Sequence, residues 1–267
     1  MERFPTRIVC LTEEPTEVLY ALGQEHRIVG ISQFTVRPSQ ARRDKPRVSA
    51  FTSARIDKIM DLEPDLVVGF SDIQADIARQ LIAAGVEVWI SNHRSIDGIL
   101  GYVRRLGGMV GAADSAEAYA LSLEHHLEEI KHAASMLPLR PRVYFEEWND
   151  PLITGIKWVS ELIALAGGND VFADKAESSL ATGRIVADPQ LVVDRKPDVM
   201  LASWCGKKFL PDTVPGRSGW DVVPAVATGQ IHEIDSAIIL QPGPAALTDG
   251  VDRIQQVIVD WSRQHGH

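Results

Sequence analysis

The chain has 267 residues, 45% of them hydrophobic and 24% charged, with a formal net charge of −9 and a pI near 5.4. Such an acidic chain lacks the basic face that nonspecific binding to nucleic acid or anionic membrane requires, so no nucleic-acid partner is expected. No apolar run reaches the roughly 18 residues of a membrane-spanning helix, and the length suits one large domain or two smaller ones.

From the amino terminus, MERFPT leads directly into RIVCL (7–11), which reads as the first core strand. That start shows none of the basic, apolar and small-residue segments of a secretory signal. The expected location is therefore periplasmic if an export signal has been removed, and cytoplasmic if the sequence is complete. A helical pattern follows in TEVLYALG (16–23), then a strand in IVGIS (28–32), a helix in RIDKIMDLE (55–63) and a strand in DLVVGF (65–70). IQADIARQLIAAG (73–85) and VEVWIS (86–91) continue the alternation as helix and strand.

The longest helical stretch runs from Asp114 to Leu137, opening on an Asp cap and ending before Pro138. Beyond it lie the strand RVYFEE (142–147), the helix VSELIALAGG (159–168) and the strands DVMLAS (198–203) and QIHEID (230–235). QPGPAALTDG (241–250) then turns into the last helix. Strand and helix alternating in this way predict parallel sheets covered by helices, with ligand bound beyond the carboxyl ends of the strands.

The sequence also repeats itself. TEVLYALGQEHRIVG (16–30) matches SELIALAGGNDVFAD (160–174), with Glu17 over Glu161 and Gly23 over Gly167. RIDKIMDLEPDLVVGF (55–70) matches PQLVVDRKPDVMLASW (189–204), with Pro64-Asp65 over Pro197-Asp198. The predicted architecture is two Rossmann-like α/β lobes, 1–113 and 138–267, joined by a single bridging helix over 114–137, with the ligand cleft between the lobes.

On these blocks, together with HRIVGIS, DPLITGIKWVSELIALAGGNDVF and GRIVADPQ, the chain resembles the class III substrate-binding proteins of ABC transporters. Within them it is most similar to the cobalamin-binding branch. The resemblance implies a non-enzymatic, monomeric protein that captures a corrinoid, cobalamin or cobinamide, with no resident cofactor, and passes it to the membrane subunits of an importer. It also implies one docking carboxylate per lobe. The matching positions are Asp76 and Gln190, the latter a departure from an acidic residue, with Asp188 close by. Siderophore and haem binders share this framework. A siderophore would draw on Arg55, Arg94, Arg184, Lys207 and Lys208, and haem on Tyr144 or His93 as axial ligand.

Aromatic faces cover a corrin plane well, and its amide fringe needs donors and acceptors. Phe70 and Trp204 close the two repeated strands, and each serves either the ligand or its lobe's core. Trp148 follows RVYFEE with Glu147 and Asn149 as polar neighbours, or else caps the core. Phe51 and Ser236 complete the expected ligand set, with Glu147 rather than Glu146 facing inward. Trp220 either anchors its loop or meets ligand. An enzyme reading rests on Cys205 with Lys207 and Lys208 beside it and His232 as base. Both Cys10 and Cys205 otherwise read as buried free thiols. The histidines have no metal-ligand spacing: His125 and His126 are adjacent on the long helix and are expected to face solvent.

Overall fold

The computed structural model describes residues 3–266 of the chain. They form two compact α/β units. The first comprises residues up to His93 with Asp97–Glu124, and the second comprises Arg94–Ile96 with the residues from His125 onward. The long helix spans Ala113–Ser135, so the division falls inside it rather than at 113 and 137. Among the described residues no helix is long and apolar enough to cross a membrane.

The first lobe holds five strands: β1 (Ile8–Cys10), β2 (Ile28–Ser32), β3 (Arg47–Ser49), β4 (Leu66–Phe70) and β5 (Val88–Ser91). They lie in the order β3-β2-β1-β4-β5, every pair parallel. Order reverses between β1 and β4, so the crevice at their carboxyl ends is the topological switch point where such sheets bind ligands. Val9, Leu11, Val48, Ile59, Val67 and Leu81 pack together in the core of this lobe.

The second lobe holds β6 (Arg142–Asn149), β7 (Leu152–Thr154), β8 (Asn169–Asp170), β9 (Val199–Ala202) and β10 (Ile231–Glu233). The sheet order is β10-β9-β6-β7, with β8 also on β6. Only β7 runs antiparallel, because the chain reverses at Asp150-Pro151 and lays Leu152 back against Asn149. The strand reading of 142–147 extends two residues further, through Trp148 and Asn149.

The repeat is a structural one. The helices Glu13–Ala21 and Lys157–Leu165 are separated by 144 residues at both ends, and each is followed by a glycine in the left-handed region, Gly23 (φ 68°) and Gly167 (φ 97°). Left-handed backbone also recurs at Glu63 (φ 44°) and Lys196 (φ 47°), each just before a Pro-Asp pair. The aspartate of each pair has the same task. Asp65 accepts from the amides of Thr6 (2.7 Å) and Arg7 (2.9 Å), and Asp198 from the amide of Arg142 (2.8 Å) and its guanidinium. Each thus ties its strand to the start of the neighbouring central strand. Burial pushes both carboxyls upward, but these hydrogen bonds outweigh it and hold them below the ordinary range.

Candidate functional site

The carboxyl ends of β6 and β9 meet in the second lobe, where Glu146 pairs in register with Ala202. Alternation along β6 puts Tyr144 and Glu146 on one face. Glu146 is fully buried and carries four donors: Arg217 in bidentate contact at 2.6 and 2.8 Å, the Tyr144 hydroxyl at 3.1 Å and the Trp204 indole N–H at 3.1 Å. A buried carboxylate persists only with such compensation. Burial drives the Tyr144 hydroxyl well above its usual pKa, and the Glu146 charge adds to it. This carboxylate is therefore a fixture that orients Trp204 and anchors the loop carrying Arg217.

The expectation that Glu147 faces inward is corrected here: Glu146 does. Glu147 lies on the other side of the strand, half-buried, where it accepts from Arg184 Nη1 at 2.5 Å and Nη2 at 3.1 Å. Arg184 is itself buried and also donates to the Thr154 carbonyl. Both acids of the EE pair are thus spent on arginines. Neither arginine is a spare cation for an anionic siderophore.

Trp148 and Trp204 stand side by side, ring centroids 6.5 Å apart and tilted by 57°. Trp204 is 3% exposed and packs edge-on against Phe209; Trp148 is partly open and donates its indole N–H to the Asp150 carbonyl at 3.0 Å. Asn149 is half-buried at the end of β6, opposite Leu152. Trp220 is buried edge-on to Tyr144 beneath Arg217, so it anchors its loop.

Next to Trp204 opens a cavity of about 420 Å³, lined by Gly206, Lys207, Lys208, Glu233, Asp235 and Ser236 among others. Gly206 adopts φ 70°, which lets the chain fold back so that Lys207 Nζ sits 4.9 Å from the Trp204 ring and 5.6 Å from the Trp148 ring. Glu233 accepts from the Phe209 amide (3.1 Å), and Asp235 caps the short helix Ser236–Ile239 through the Ala237 amide (2.9 Å). The cavity offers donors, acceptors and aromatic surface together.

In the first lobe Phe70 is 5% exposed and meets the His93 ring edge-on at 5.2 Å. His93 also stacks on Tyr102 at 4.7 Å, and its Nδ1 lies 2.7 Å from Ser91 Oγ. It lies on the loop after β5 as a packed member of an aromatic cluster. Phe51 is half-buried, its carbonyl accepting from Gln74 Nε2 at 3.2 Å. Sequence reasoning passed over Glu13 and Glu14, two successive acids buried just past β1. Glu14 hydrogen-bonds Thr12 (2.7 Å) and Glu13 meets Ser32 (3.3 Å). Burial raises Glu13 to about 6, and burial with the neighbouring Glu13 charge raises Glu14 to about 8.

Several other expectations change. Cys10 is buried, with burial lifting its thiol to about 12, but Cys205 is exposed because the turn that carries it leaves the sheet. His232 pairs in register with Leu201, four residues before Cys205, and its Nε2 lies 3.0 Å from Gln230 Oε1. His125 is open to solvent, whereas His126 is only 30% exposed and meets Asp252 at 2.8 Å. Asp76 is 91% exposed in the first turn of the helix Ala75–Ala83, near Arg79. Gln190 opens the helix Gln190–Arg195 on the surface and donates to Asp194 (3.0 Å). Among the described residues no group of three or more His, Cys, Asp or Glu is gathered to hold a metal ion.

Two α/β lobes sharing one long helix, with aromatic and polar side chains at the strand ends, define a small-molecule binding protein. Residues 8–238 match the periplasmic binding protein family, and the chain belongs to it. Members of this family are substrate-binding proteins that work with the membrane subunits of ABC transporters. The chain is 25% identical to an uncharacterized ABC transporter substrate-binding lipoprotein of Bacillus subtilis, covering 97% of this chain and 81% of the relative. It is 26% identical to the vitamin B12-binding protein of Vibrio cholerae, covering 95% and 88%. A periplasmic heme-binding protein from Roseiflexus shares the fold with a TM-score of 0.78 at 24% identity, over 94% of this chain and 98% of that one.

Proposed function

We propose that the protein captures a corrinoid, cobalamin or cobinamide, on the partly open Trp148 ring and in the cavity beside Trp204, for delivery to an ABC importer. The observation that carries this reading is the conjunction of the partly open Trp148 indole, backed by the buried Trp204, with a pocket holding both ammonium donors and carboxylate acceptors. A corrin plane is broad and apolar, so it gains from aromatic coverage, while its primary amides each need a donor and an acceptor. The vitamin B12-binding relative at 26% identity supports the same ligand class. The corrinoid is cargo, and the protein needs no resident cofactor to hold it.

Haem suits the residues less well. Tyr144 is fully buried and committed to Glu146, and His93 is packed between Phe70 and Tyr102. A ferric siderophore would want clustered arginines, and with Arg184 and Arg217 consumed by Glu147 and Glu146 the cations left at the cavity are the two lysines Lys207 and Lys208. Equilibrium dialysis against cyanocobalamin, dicyanocobinamide, haemin and a ferric siderophore tests the reading. Saturable 1:1 retention of a corrinoid is the expected outcome. Retention of haemin or the siderophore alone would overturn the ligand class.

A further inference from the structure

We infer that Lys207 and Lys208 form an anion-reading subsite, which makes the protein selective for a corrinoid bearing an oxyanion, a phosphodiester or a carboxylate, over one fringed by neutral amides alone. The inference rests on the corrinoid reading and names the ligand group that this part of the site meets.

Four charged side chains line the cavity: Lys207, Lys208, Glu233 and Asp235. Such a group would ordinarily collapse into ion pairs. Yet among the described residues no carboxylate lies within 4.0 Å of either lysine, whereas ion pairs of that length form elsewhere in the chain. Glu233 and Asp235 are turned onto the backbone amides of Phe209 and Ala237, which offset part of their charge and hold them away from the ammoniums.

Lys207 is held in another way. Its ammonium rests on the faces of Trp204 and Trp148, and an indole face attracts a cation without taking up its N–H donors in directed bonds. Those donors are therefore available at the mouth of the cavity, beside the aromatic surface on which the ligand would stack. Lys208, adjacent and exposed, adds a second positive charge. A ligand that stacks on Trp148 must also meet the ammonium that rests on it. An oxyanion draws that ammonium into a charge-assisted hydrogen bond, whereas a neutral amide must compete with the cation for the same faces.

The test uses the full chain and a Lys207→Met/Lys208→Met variant, which keeps much of each apolar stem and removes both charges. Three ligands separate the sources of negative charge: cyanocobalamin carries the phosphodiester, dicyanocobyric acid carries a carboxylate without phosphate, and dicyanocobinamide carries neither. The wild-type protein should bind at least one of the first two about tenfold or more tightly than cobinamide. That advantage should shrink with added salt and vanish in the double variant. Preference for cyanocobalamin alone identifies a phosphodiester site, and preference for cobyric acid identifies a carboxylate site. Equal wild-type affinity for all three, or an equal loss for all three in the variant, would overturn the subsite while leaving the corrinoid reading intact. Failure of every corrinoid to bind the wild-type protein would overturn both.

Discussion

Replacing Glu146 with alanine is the substitution from which the structure predicts most. It deletes the acceptor of four donors at once and leaves Arg217, Tyr144 and the Trp204 indole facing the buried space that the carboxylate vacates. Breaking a buried ion pair by removing one partner costs about 3–5 kcal/mol, because the remaining charge is uncompensated. Arg217 is 19% exposed and can regain some water, which places the loss near the lower end, about 3 kcal/mol. Glu146→Gln keeps the shape and part of the hydrogen bonding, so it should cost less. Urea unfolding followed by tryptophan fluorescence measures both, and the folded-state emission should shift because Trp204 loses its partner. A double-mutant cycle with Arg217→Ala should return a coupling of about 1.5–3 kcal/mol. A loss below about 1 kcal/mol with unchanged native emission would refute the view that Glu146 is a structural anchor rather than a ligand contact.

Four other substitutions test the fold and its buried acids. Glu14 titrates at about 8 in the folded protein against an ordinary 4.5, so the native state holds a proton that the unfolded chain has released, and stability should fall as pH rises from 4.5 through 8. The slope from this group reaches at most about 1.4 kcal/mol per pH unit, and Glu14→Gln should flatten it in urea melts at pH 5 and pH 8.5; an unchanged slope would contradict the assignment. A side chain on Gly107 would place its Cβ 2.2 Å from that of Ala116, so Gly107→Ala should destabilise by about 1–3 kcal/mol in thermal unfolding, and a neutral result would show that the two helices separate freely. Lys196 sits at φ 47°, and Lys196→Gly should be neutral or stabilising by up to about 1 kcal/mol, with Glu63→Gly behaving alike; a loss at either would deny the backbone strain.

Most of the larger architecture was legible because the repeat was. The Pro-Asp pairs and the post-helix glycines mark the same turns in both lobes, and local backbone chemistry dictates them. The elements that escaped were those with weak local signals. β3, β7 and β8 are two or three residues long and exist through pairing with a neighbour. The helix Ile96–Met109 carries four glycines, which lower its intrinsic propensity, so the packing of Leu100, Val103 and Leu106 must sustain it. The segment Ala246–Gly250, read as a turn running into the last helix, is π-helical before the helix Val251–His265 begins.

At the ends of β6 and β9 the sequence misjudged the chemistry of the acids. The identity of the inward glutamate depended on Arg217, 71 residues away, which no local pattern connects to Glu146. Glu13 and Glu14 did leave a signal, two acids directly after a buried strand. Trp204 and Trp148 were recognisable as strand-end aromatics, whereas the placement of Lys207 over both rings depended on the turn at Gly206.

The most direct measurement is a fluorescence titration of the wild-type protein and a Trp148→Ala variant with cyanocobalamin, with haemin in parallel. Stacking on Trp148 predicts saturable 1:1 quenching by the corrinoid in the wild-type protein and markedly weaker binding in the variant. Equal corrinoid affinity in the two proteins, or saturable quenching by haemin alone, would contradict it.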